Sequence, residues 1–150
     1  MHRKKHCGIR NGLVTKMALE PEQIALSNTE SAHQTALFAW AAKKEVRERL
    51  PELEFLFHIP NGGARDRITA GRLKAEGVKS GVWDLMLPVP RGRYAGLFIE
   101  MKVKLNTLSP AQKRFQNFVE FQHYKCAVCY SWLEAVTVLW NYLTGENSVI

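Results

Sequence analysis

Asp84 and the triplet Glu100-Met101-Lys102 are the residues of this chain whose types and spacing could do chemistry. Glu100 and Lys102 stand in LFIEMKVK, residues 97–104, whose apolar members favour a pleated, half-buried surface. A side-chain period of two puts Glu100, Lys102 and Lys104 on one face. Asp84 precedes the apolar stretch LMLPV, and the turn PRGR joins the two segments as a hairpin. In antiparallel neighbours, an acid near the start of one strand and an acid late in the other can come opposite. Two carboxylates and a lysine would then converge at one end of a sheet. A hard divalent cation such as Mg²⁺ takes one or two carboxylates plus water and phosphate oxygens. It polarises a phosphoryl oxygen and lowers the pKa of bound water. A lysine alongside would stabilise a pentavalent transition state or orient the attacking water. The same spacing also suits a charged strand face that is simply wet, and spacing alone leaves both readings open.

The elements that must position these residues follow from the pattern on either side. Ala36, Leu37, Trp40, Ala41, Val46 and Leu50 have helical spacing, with Asn28 or Thr29 as N-cap and Pro51 as the end. EFLFHIP (54–60) reads as a strand ending at Pro60 and an NGG turn. Residues 65–77 suit a short helix stopped by Gly77. VWDLMLPV and YAGLFIEMKV are the hairpin strands. Ser109 and Pro110 open a helix with Phe115, Phe118, Val119 and Gln122 on one face. KCAVCYSW is a further strand and LEAVTVLWNYL a final helix. The order α-β-(α)-β-β-α-β-α predicts an α/β fold, with residues 1–26 a basic tail and 27–150 a single domain.

At 150 residues, one domain can bury a sizeable core without staples. No apolar run approaches the roughly 20 residues of a membrane helix, and no apolar h-region follows the basic start. Three cysteines without an export signal point to a reducing, cytoplasmic setting. The net charge of +7 is uneven. Residues 1–16 carry five bases and no acid, and residues 60–104 carry nine bases against four acids. That distribution predicts a polyanionic partner, nucleic acid first. Cys126 and Cys129 have C-x-x-C spacing but lack the second pair a structural zinc needs, so both are expected as buried free thiols. His33 is expected on the exposed side of the first helix and His58 at a strand end. No G-x-x-x-x-G-K loop is present, so an ATP-driven activity has no support.

Five stretches taken in order carry a resemblance. Glu30 stands four residues before Gln34 on the first helix; HIPNGGAR occupies 58–65; GVKSGVW precedes Asp84; Glu100 and Lys102 form E-x-K; and SPAQ opens the following helix. Over about residues 29–135 these resemble the virus-type replication-repair nuclease (VRR-NUC) domain of the PD-(D/E)-x-K superfamily. The resemblance implies a restriction-endonuclease-like fold, a mixed sheet flanked by helices. It implies a Mg²⁺-dependent DNA endonuclease, with Mn²⁺ able to substitute, leaving 5′-phosphate and 3′-hydroxyl ends. Asp84, Glu100 and the Met101 backbone carbonyl would be metal ligands, and Lys102 the catalytic lysine. Glu30 would reach the metal's far side, or else serve as a first-turn acid on its helix. Gln34 and Gln112 would line the site.

Asn61 and Arg65 sit in a Gly-rich segment that could contact phosphate or be merely a turn. Lys79 and Lys104 are further candidate nucleic-acid contacts, Lys104 also reading as a solvated charge past the strand. Stand-alone members of this size imply a viral or bacterial homodimer acting on branched DNA such as a four-way junction. Such a chain would work in the cytoplasm of a bacterium or phage-infected host. The family's proline before the aspartate is Trp83 here, an indole expected in the core. The rival reading is a nucleic-acid-binding module of the same fold without chemistry.

Overall fold

Thr29 turns the chain into its first long helix: its hydroxyl accepts from the Ala32 N–H at 3.1 Å. Asn28 before it holds φ +49°, a left-handed conformation that asparagine tolerates. The computed structural model describes residues 19–60 and 67–146, with backbone alone at 67 and 68. Its elements are α1 (Pro21–Ile24), α2 (Glu30–Ala41), α3 (Lys44–Arg49), β1 (Phe57–His58), α4 (Arg67–Ala75), β2 (Leu85–Leu87), β3 (Gly96–Met101), α5 (Pro110–Phe121), β4 (Tyr124–Cys129) and α6 (Trp132–Thr144). The sheet order is β1-β2-β3-β4. The first three strands run antiparallel and β4 lies parallel to β3, joined through α5. This is the mixed sheet flanked by helices that the sequence predicts.

Every residue of β3 is buried, because helices cover both faces of the sheet. Leu97, Ile99 and Met101 face one layer, packed with Leu85, Leu87, and the Ala36, Leu37, Ala135 and Leu139 side chains of α2 and α6. Phe98 faces the other, with Trp83, Phe115, Val119, Tyr124 and Cys126. The alternation therefore sends Glu100 to the α5 side, below Phe98.

Four expectations are corrected. Residues 21–26, read as the end of a tail, lie in α1 and the 3-10 turn Ala25–Ser27; Pro21 is buried and Ile24 packs against the core. The helix expected to run to Pro51 breaks after Ala41, where Arg47 turns back to cap the Ala41 carbonyl. The strand expected over 54–60 is only Phe57–His58, because residues 51–55 wind into a 3-10 helix. On α5, Val119 points inward whereas Phe118 is 62% exposed, so the expected shared face splits.

Candidate active site

The β2–β3 register pairs Leu85 with Ile99, which places Asp84 across from Glu100 one step beyond the ladder. Backbone and side chain fix that step together. The Ile59 N–H and the His58 ring both bond the Asp84 carbonyl, at 2.7 and 3.0 Å, while Asp84 Oδ2 accepts the Met101 N–H at 3.0 Å. Glu100 is 1% exposed and Lys102 8%, so the face is not wet. Lys102 Nζ donates to Glu100 Oε1 at 2.5 Å. The Gln112 amide donates to the same oxygen, while its own Oε1 accepts the Ser109 N–H at 2.9 Å in a capping box.

Glu100 Oε2 is left buried without a hydrogen-bond partner among the described residues. An unpaired buried acceptor costs on the order of 1–3 kcal/mol, more when charged. Burial pushes the Glu100 carboxyl above its ordinary range, with Asp84 adding to the rise and Lys102 opposing it. Burial also raises Asp84, against the Met101 N–H and the Lys102 charge. For Lys102 burial acts downward, but the Glu100 hydrogen bond and the nearby carboxylates outweigh it and hold the ammonium protonated. A buried carboxylate oxygen with no donor among the described residues, on the residue across from a second carboxylate, fits a hard divalent cation that keeps several waters. Met101, the last residue of β3, lies between Glu100 and Lys102.

Glu30 comes to the edge of this group rather than into it. Its Oε1 lies 3.9 Å from Lys102 Nζ and accepts from Asn106 at 3.3 Å. Among the described residues, no three His, Cys, Asp or Glu side chains gather as a metal cluster, so Glu30 contacts the lysine and not a three-acid centre. Gln34 is half-buried one turn along α2. Lys104 is exposed past the end of β3, and Lys79 is exposed beside the first turn of α5. Asn61 and Arg65 lie outside the described residues.

Trp83 is fully buried, as expected, and its Nε1–H donates to the Gln112 carbonyl at 3.2 Å. Asn106 and the His58 ring were not singled out as site residues; each lies on an irregular connection or strand end that carries no periodic signal. His33 is corrected: it is 7% exposed, bonded to Asn28 Oδ1 at 2.9 Å and to the Trp132 N–H at 3.4 Å. An Nε2–H tautomer satisfies both contacts and ties α2 to α6. Cys126 and Cys129 are free; Cys129 is buried as expected whereas Cys126 is only half-buried, and burial pushes both thiols up to about 12. Trp132 and Tyr142 are core residues. No helix among the described residues is long and apolar enough to cross a membrane.

A cavity of about 670 Å³ is lined by Arg93, Tyr94 and Lys125 at the opposite end of β3, away from the carboxylates.

The family model of the VRR-NUC domain matches residues 22–132. A solved structure described as a VRR_NUC domain protein is similar at 28% sequence identity and a TM-score of 0.63, covering 79% of this chain and 91% of that one. No curated protein matches the chain at significance.

Proposed function

This chain belongs to the VRR-NUC domain family, a nuclease family of the PD-(D/E)-x-K type, and from that premise we propose that it hydrolyses DNA phosphodiester bonds with Mg²⁺ at the Asp84–Glu100 end of the sheet. The observation that carries the reading is the buried Glu100 Oε2, without a hydrogen-bond partner among the described residues, on the strand position across from Asp84, with Lys102 at 2.5 Å from its sister oxygen. When bound there, Mg²⁺ (or Mn²⁺) polarises a phosphoryl oxygen and acidifies water. Asp84 and Glu100 would be its side-chain ligands, with the Met101 carbonyl as a backbone candidate. Gln112 immobilises Glu100 Oε1 so that Oε2 stays aimed at the site. Lys102 presents a fixed positive charge to the oxygens of the transferring phosphoryl group, where charge builds in the transition state. Glu30, through Lys102 and Asn106, positions that ammonium.

A binding module without chemistry would have no use for a buried and a half-buried carboxylate side by side, which repel phosphate. Branched DNA is the substrate we propose, cut by a homodimer, because paired symmetric incisions need two sites related by a twofold axis. The test is to incubate the protein with linear duplex, flap and four-way-junction DNA, in Mg²⁺ or in EDTA, alongside light scattering. Paired nicks on the junction from a dimer, absent in EDTA, are expected. A monomer cutting linear duplex as fast as junctions would remove the branched-substrate reading.

A further inference from the structure

A groove of about 540 Å³ runs between the turn at 79–82 and the outer face of α5. Lys79, Ser80, Val82, Arg114, Phe115 and Phe118 line it. Its walls are the two segments that hold the catalytic acids. Trp83 follows the turn directly and bonds the Gln112 carbonyl, and Gln112 in turn holds Glu100. Gly81 lets the turn press against α5: at φ +85° it lies so near that a Cβ would sit 2.6–2.8 Å from Ala111 atoms. Phe115 is anchored edge-on against Phe98 at 5.2 Å, which makes one wall rigid. Phe118, one turn further, leaves 62% of its surface in solvent.

We propose that this groove seats an unpaired nucleic-acid strand next to the scissile phosphate, with Phe118 stacking on a base and Lys79 and Arg114 meeting phosphates. The proposal rests on the nuclease reading above and adds a source of branch selectivity to it. Both charged lining residues are cations, and neither forms an ion pair among the described residues. Alternation of cation and aromatic is the chemistry of single-strand binding, because every base offers a π-face once it is unstacked. A duplex offers no such face. A second copy of the chain fits less well, since a twofold contact here would bring like charges together.

The test uses a short single-stranded oligonucleotide containing 2-aminopurine, titrated in EDTA so that nothing is cut. Wild type should quench the fluorophore. Phe118→Ala, at an exposed position, should abolish the quenching and weaken single-strand binding by about tenfold. Arg114→Ala should make the salt dependence shallower by about 0.7 for each phosphate it no longer neutralises. In Mg²⁺, Phe118→Ala should slow cutting of a branched substrate more than that of plain duplex. Unchanged quenching in a folded Phe118→Ala protein overturns the proposal, as does conversion of a dimer to a monomer by that change, which would make the face a subunit contact. Quenching by a wild type that cuts no DNA would overturn the nuclease reading while leaving the groove's occupant supported.

Discussion

The Gln112 side chain joins two jobs in one amide: its oxygen caps the start of α5 through the Ser109 N–H, and its nitrogen holds Glu100 Oε1. The helix end and the catalytic acid are therefore mechanically one unit. Two separable losses are expected when that amide is removed.

Gln112→Ala should lose the reciprocal half of the capping box, a stability cost of about 1 kcal/mol. It should also free Glu100 to swing, lowering cleavage by about 10²-fold, the scale of one preorganised polar group. Thermal melts and cleavage rates of the same preparation check both. Full activity with a lowered melting temperature would reduce Gln112 to a cap.

Asp84→Asn should stabilise the metal-free protein while removing activity. The new amide oxygen can still accept the Met101 N–H, and the burial penalty on the charge disappears. Function-for-stability changes of this kind gain about 0.5–2 kcal/mol, a melting rise of about 2–4 °C per kcal/mol.

A pH dependence accompanies that gain. Burial holds both carboxyls above their ordinary range, so the folded chain binds more protons than the unfolded one in that window. Metal-free stability should fall as pH rises from about 4 through the raised values, and Asp84→Asn should make the fall shallower. The Lys102 contribution has the opposite location: its raised value keeps it intact below about pH 10 and loses it only above. Melting curves across pH in EDTA decide the matter, and a flat wild-type profile between about pH 4 and 8 would contradict the carboxylate account.

Trp83→Phe should keep the core filled but delete the bond to the Gln112 carbonyl. A loss of about 1–2 kcal/mol is expected, with a modest drop in cleavage through the looser α5. Trp83→Ala should cost about 3–5 kcal/mol, the range for emptying a buried aromatic site. Near-native stability of Trp83→Ala would mean that the indole is not the keystone between β2 and α5.

The hairpin, the α5 cap and the facing of Asp84 and Glu100 were legible because strand alternation and the Ser109-Pro110 start are local signals. The break after Ala41 was not: AWAAKKEVRERL contains no glycine or proline, and the interruption is set by Arg47 capping the Ala41 carbonyl and by Lys43 pairing with Glu20 at 2.6 Å. His33 misled for a related reason. Its neighbours Ser31, Gln34 and Thr35 suggest a polar face, yet α6 arrives from 99 residues away to bury it under Trp132. Glu30, which the resemblance puts on the metal's far side, lies 3.9 Å from Lys102, a distance set by tertiary geometry that no local pattern carries. Asn106, on the turn after β3, had no periodicity to announce it.

The most direct measurement compares purified wild type and Asp84→Asn on a labelled four-way junction with millimolar Mg²⁺, after confirming that both are folded. Wild type should cleave the junction in a reaction that EDTA abolishes, and Asp84→Asn should be at least about 10²-fold slower with DNA binding retained or tightened. Cleavage by Asp84→Asn at the wild-type rate would rule out Asp84 as a catalytic acid.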